Sequence, residues 1–91
     1  MHLGDWLLEL RGHILAVHMP ASLVPVRAAL AKLALLANTP ERLAALCEAL
    51  IEVAHGNGGL VKAGQRLRLL DLADQCRQVA WQLTAHREVL S

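Results

Sequence analysis

The sequence predicts an all-α protein: a four-helix up-and-down bundle with a long C-terminal helix, in which helices 3 and 4 form an antiparallel hairpin. Hydrophobic residues make up 55% of the 91-residue chain, and they include 20 Leu and 15 Ala, which favour helices. β-branched residues are few, Phe and Tyr are absent, and apolar positions recur at helical spacing. A β-sandwich or barrel is therefore not expected.

Length and charge limit the organisation of the chain. A 9.9 kDa chain can bury one small core, so we expect a single helical domain over residues 1–91. Two cysteines are too few for a disulfide scaffold, no signal peptide is recognisable, and charges interrupt every apolar stretch. We expect a cytoplasmic protein with no transmembrane helix. Low Phe, Tyr, Ile, Asn and Lys contents indicate GC-rich coding and a bacterial or phage source.

The first helix is predicted over residues 5–18. Asp5 is a favourable N-cap residue, and Pro20 would end the helix. Apolar residues recur at alternating spacings of three and four, which predicts one buried face. That face comprises Leu3, Leu7, Leu10, Ile14 and Val17.

The second helix is predicted to begin between Ser22 and Pro25, because proline is tolerated in a first turn, and to end near Ala37. Its core face is predicted to comprise Leu23, Val26, Leu30 and Leu33. A weaker apolar stripe lies on its back and comprises Val24, Ala28, Ala31 and Leu35. Small residues in this stripe would allow another helix to approach closely.

The third helix has the clearest start signal in the chain. Thr39 is a capping residue, Pro40 suits the first helical position, and Glu41 favours the positive end of the helix dipole. The predicted core face comprises Leu43, Leu46, Leu50 and Val53. His55 lies in the last turn, and the glycine-rich residues 56–59 accept positive φ angles, so the helix should end there in a tight turn.

The fourth helix is predicted over residues 60–89, with heptad spacing on its core face. That face comprises Leu69, Leu72, Cys76, Val79 and Leu83. A tight turn would pair Glu52 with Lys62, Glu48 with Arg66 and Arg42 with Asp71 across the hairpin. The same register would place Cys47 and Cys76 far apart, so no disulfide is expected.

A second apolar stripe on helix 4 lies well away from the heptad face. It comprises Leu60, Ala63, Leu67, Leu70 and Trp81. Either helices 1 and 2 bury this stripe inside the bundle, or it forms an interface with a protein partner or a second copy, with a dimer favoured. Leu35 could extend such an interface, and Trp81 is a suitable anchor because tryptophan is common at binding hot spots.

The residues indicate no catalytic or metal site. The five histidines include no pair spaced for one helix face, and no Cys-x-x-Cys motif is present. Nothing in the sequence suggests a nucleophile with its base. We therefore expect no enzyme activity, no metal and no cofactor.

The predicted function is that of a small protein-protein interaction module: an adaptor, chaperone-like subunit or inhibitor that binds a protein partner, itself or both through apolar helix faces. The alternative is a small helical nucleic-acid-binding regulator that contacts phosphate through Lys62, Arg66 and Arg68 at the start of helix 4. A net charge of +1 provides no strong field toward nucleic acid or anionic lipid, so the first function is favoured and no membrane partner is expected.

Overall fold

The computed structural model describes residues 2–90, which form four α-helices and no strand. The helices are α1 (Leu3–Leu15), α2 (Val24–Leu36), α3 (Pro40–His55) and α4 (Ala63–Leu90). Two short 3-10 turns, Ala21–Leu23 and Asn57–Gly59, lie before α2 and between α3 and α4. The predicted all-α bundle with a long last helix is confirmed.

The helices pack mainly as two hairpins. α1 packs along α2 and α3 packs along α4, while contacts of α2 with α3 and of α1 with α4 join the two pairs. The predicted hairpin of helices 3 and 4 is confirmed. The 28 residues of α4 extend about 42 Å, which accounts for most of the 45 Å length of the molecule. Within the described residues, no helix combines the length and apolarity needed to cross a bilayer.

One aliphatic core receives residues from all four helices. Trp6 packs against its edge and Trp81 lies on the surface, so no aromatic ring fills the centre. The largest fully buried side chains are Leu10, Ile14, Val17, Leu43, Leu46, Leu50, Val61, Leu69 and Cys76. Among the described residues, no polar or charged side chain is buried. Cohesion of the core therefore depends on close packing of Leu, Ala and Val.

The start of α1 lies two residues earlier than predicted. His2 occupies the N-cap position, and the Trp6 amide donates to the His2 carbonyl at 3.1 Å. Asp5 is consequently in the first turn and is not the N-cap residue. A carboxylate is also favoured at this position because it faces the positive end of the helix dipole.

The end of α1 lies at Leu15, well before Pro20. Val17 and Met19 leave the helical path and turn into the core, where both are buried. Arg27 on α2 donates through Nη1 to the Val17 carbonyl at 2.8 Å. This hydrogen bond satisfies the carbonyl outside a helix and fixes the segment between α1 and α2.

The buried face of α2 differs from the prediction. Leu33, assigned to the core, is 47% exposed, whereas Ala31 of the predicted back stripe and Ala34 are buried. Leu23 and Leu30 are buried as predicted. The sequence pattern did not identify the buried face because α2 has apolar residues on nearly every side. The small alanines on its inner face allow neighbouring helices to pack closely.

The start of α3 is confirmed. Thr39 Oγ1 accepts a hydrogen bond from the Arg42 amide at 3.2 Å, and Pro40 is the first helical residue. Glu41 accepts a 2.8 Å hydrogen bond from Arg87 near the end of α4. This bond lowers the pKa of the Glu41 carboxyl.

The connection between α3 and α4 is longer than predicted. α3 ends at His55 as expected, but α4 begins at Ala63 and residues 56–62 form the turn. Asn57, Gly58 and Gly59 have φ angles of 62°, 60° and 80°. Val61 follows them and is buried, so the turn closes over the end of the core.

The longer turn changes the register of the hairpin. Besides the Glu41–Arg87 contact, Arg77 Nη2 lies 3.9 Å from Cys47 Sγ. Cys47 therefore lies opposite the Cys76–Arg77 region, and the predicted separation of the cysteines is wrong. The three predicted ion pairs, Glu52 with Lys62, Glu48 with Arg66 and Arg42 with Asp71, are absent from the described part of the chain.

Because Gly56 has no side chain, the backbone that leaves α3 can pass close to the last turn of the helix. A Cβ at Gly56 would lie 2.8 Å from the Glu52 carbonyl oxygen, whereas a Cβ at Gly12 meets nothing within 4 Å. We expect Gly56→Ala to lower the free energy of unfolding by about 1–3 kcal/mol. Gly12→Ala should raise it by about 0.5–1 kcal/mol because alanine favours a helix. Urea unfolding followed by circular dichroism measures both changes, and wild-type stability of Gly56→Ala would contradict this helix end.

Candidate interaction surface

The second apolar stripe of α4 is largely exposed. Leu67 is 68% exposed and Trp81 is 77% exposed, so α1 and α2 do not cover either side chain. Ala63 is also exposed at the start of the helix, and Leu70 is partly buried against the core. Leu60 is exposed but lies in the turn before α4. The predicted stripe therefore has an outward part centred on Leu67 and Trp81.

Polar residues divide this outward part of α4. Asp74 and Gln78 lie between Leu67 and Trp81 on the same side of the helix, and Gln78 Nε2 donates to Asp74 Oδ2 at 3.0 Å. Leu67 and Trp81 are fourteen positions apart, which is about 21 Å along the axis. The stripe consequently consists of two apolar sites, one near each end of α4.

The Trp81 site is a groove between α3 and α4. We call it the Trp81 groove; it has a volume of about 210 Å³ and is lined by Ala44, Cys47, Glu48, Ile51, Arg77, Ala80 and Trp81. Cys47 and Ala80 are buried and form its floor, while Trp81 projects beside it. Alanine on both helices leaves room for a side chain from outside.

Two opposite charges border the Trp81 groove. Glu48 on α3 and Arg77 on α4 are exposed, and within the described chain neither forms an ion pair. Among the described residues, the Arg77 guanidinium donates a hydrogen bond to the Cys47 sulfur alone, which is a weak acceptor. Both charges are therefore free to pair with groups on another molecule.

A second apolar groove lies between α2 and α3. It has a volume of about 320 Å³ and is lined by Leu33, Leu36, Arg42, Ala45 and Leu46; we call it the Leu36 groove. Leu36 is 58% exposed, and Leu35, the predicted extension of the interface, is 44% exposed nearby in the sequence. The sequence prediction missed this groove because Leu33 was assigned to the core.

The predicted phosphate contacts do not act as one basic surface. Arg66 is partly buried and donates through Nε to the Ala54 carbonyl at 3.1 Å and through Nη2 to the Val61 carbonyl at 3.4 Å. Lys62 and Arg68 are exposed. Arg66 thus caps the end of α3, and its main donors are already occupied.

Arg68 belongs to a mixed polar cleft between α1 and α4. The cleft has a volume of about 250 Å³ and is lined by His13, Arg68, Asp71, Leu72 and Gln75. Gln75 Nε2 donates to Asp71 Oδ2 at 2.9 Å. Across the described residues, no three His, Cys, Asp or Glu side chains are grouped to hold a metal ion.

The two thiols are free and buried. Burial, together with a smaller effect of the nearby Cys47, raises the pKa of Cys76 to about 12. The neutral thiol is consequently the stable form of Cys76 in the folded protein. A buried, protonated thiol is a poor nucleophile, which fits a packing role for this residue.

Arg66 and Arg68 provide a matched test of the cap at the end of α3. We expect Arg66→Ala to lower the free energy of unfolding by about 1–3 kcal/mol because carbonyl groups lose their partner. Arg68→Ala, at an exposed position, should change it by less than about 0.5 kcal/mol. Denaturant unfolding measures both variants. Equal effects would contradict the structural role of Arg66.

Cys76 should make stability depend on alkaline pH. Below about pH 9 the thiol is protonated in both states, whereas between pH 9 and about 12 only the unfolded chain releases the proton. The free energy of unfolding should therefore fall in this window by up to about 1.4 kcal/mol per pH unit. Unfolding of the wild type and Cys76→Ala at several pH values tests this effect. Parallel pH dependences of the two proteins would contradict it.

Comparisons of this chain with protein-family models, curated proteins and solved structures give no match. The function of the surface must therefore be inferred from its own exposed side chains, charges and grooves.

Proposed function

We propose that the chain is a small protein-interaction module, an adaptor, chaperone-like subunit or inhibitor, which binds a protein partner, itself or both through apolar helix faces. The observation that supports this most is the exposure of Leu67 and Trp81 on α4. Exposed apolar patches are typical of binding sites, and these two side chains mark one such site near each end of α4. Trp81 has the size and rigidity of an interface anchor.

The extent of exposed surface also supports binding. The accessible area is 5717 Å², whereas a compact monomer of this mass is expected to have about 5,200 Å². Large hydrophobic side chains contribute to the exposed surface of α1, α2 and α4 and of the turn before α4. They are Leu8, Val24, Leu33, Leu35, Leu36, Leu60, Leu67, Trp81 and Val89.

In this proposal the protein acts by covering apolar surface and carries out no reaction. The Leu67 site, with Ala63 and the partly buried Leu70, would receive an apolar side chain or helix of the partner. Leu35 and the Leu36 groove offer a further contact on the other hairpin. We propose a bacterial or phage protein that works in the cytoplasm, where its free thiols would remain reduced.

The nucleic-acid alternative has less support. It requires Lys62, Arg66 and Arg68 to face phosphate together, but Arg66 donates to two backbone carbonyls. Arg68 is accompanied by Asp71 in the polar cleft, so its charge is partly offset there. With a net charge of +1, the chain also lacks the basic excess that drives phosphate binding.

Site-specific photo-crosslinking tests the proposed function. We expect a crosslinking amino acid at Leu67 to form a discrete protein adduct in cells, because this side chain would be covered by the partner. The control position is Arg11, which is exposed on α1. Excess unlabelled wild-type protein should displace the adduct, whereas excess Leu67→Glu should not. Equal labelling from Leu67 and Arg11, or no adduct from Leu67, would overturn the proposal.

A further inference from the structure

The Trp81 groove contains the features needed to bind a second Trp81. A large projecting ring stands beside a recess that has the small side chain of Ala44 on its wall and that of Ala80 in its floor. An indole buries about 150–250 Å² when it is covered. The same surface therefore offers both an anchor and a place to receive it.

The charges at this groove are also self-complementary. Glu48 lies on α3 and Arg77 lies on α4, so the two charges are on opposite walls. A two-fold axis brings residue i of one copy to residue j of the other, and residue j to residue i. Two copies related by such an axis would form two Glu48–Arg77 ion pairs. A strongly acidic or basic partner would instead leave one of these charges facing a like charge.

We propose that the Trp81 groove binds a second copy of this chain, so that Trp81 of each copy fills the groove of the other and Arg77 of each pairs with Glu48 of the other. This proposal rests on the proposed function, and it identifies a second copy of the chain as the partner that binds at the Trp81 groove. The dimer contact joins two α3–α4 hairpins side by side. The Leu67 site, about 21 Å away along α4, stays outside this contact and is open to a different protein.

Charge reversal of purified full-length protein tests the pairing directly. Sedimentation equilibrium should show a wild-type dimer, and E48R or R77E should each weaken dimerisation at least about tenfold because like charges would meet. Mixing E48R with R77E should restore a heterodimer, since both contacts again join opposite charges. E9R, at an exposed position on α1, is the matched control and should dimerise like the wild type.

Trp81 provides an independent measurement. Trp81→Ala should weaken dimerisation at least about thirtyfold, and circular dichroism should show an unchanged helical fold because Trp81 is outside the core. In the Trp6→Phe variant, Trp81 is the single tryptophan, and its emission should shift to shorter wavelength as the protein concentration rises.

The dimer experiments can contradict this proposal without contradicting the proposed function. A protein that remains monomeric at all concentrations overturns it, as does a dimer that is unaffected by Trp81→Ala and both charge reversals. Failure of the E48R and R77E mixture to form a heterodimer overturns the two-fold arrangement. In each of these cases an adduct at Leu67 with a different protein would still support the proposed function.

Discussion

The arrangement of the α3–α4 hairpin depends on how the end of α3 is closed. Arg66, from the first turns of α4, donates to the carbonyl of Ala54 in α3 and to the carbonyl of Val61 in the turn. Three successive positive φ angles precede Val61, and the buried Val61 side chain anchors the turn to the core. These constraints set the length of the connection, and the length of the connection sets which residues of α3 and α4 face each other.

That register determines the character of the exposed surface. It brings Cys47 to the Cys76–Arg77 region and Glu41 to Arg87, and it places Trp81 beside α3. Aliphatic and sulfur-containing side chains fill the centre of the core, and the Trp81 ring lies outside it. In a molecule with this much exposed apolar surface, the groove beside Trp81 and the site at Leu67 are the natural places for protein contacts.

Sequence patterns predicted the parts of the structure in which apolar and polar residues alternate clearly. The inner faces of α1, α3 and α4 follow from helical spacing, and the Thr39 cap follows from its residue type. Spacing placed Trp81 on a second stripe of α4 but did not decide whether that stripe is buried or exposed. The face of α2 could not be predicted because apolar residues surround that helix, and misplacing Leu33 concealed the Leu36 groove. The hairpin register was missed because Leu60 and Val61 continue the apolar pattern of α4 although they belong to the turn. The Asp74 and Gln78 interruption of the stripe was visible in the sequence, but their hydrogen bond was not.

The pairing of neighbouring helices also has a kinetic consequence. Most packing joins α1 to α2 or α3 to α4, so the chain closes two short connections before the hairpins must meet. Contacts between residues close in sequence cost little loop-closure entropy, and chains dominated by them reach their native topology quickly. The meeting of the two hairpins, across the short link between α2 and α3, is then the step that assembles the common core. A newly made chain would thus expose its aliphatic residues to unwanted association only briefly.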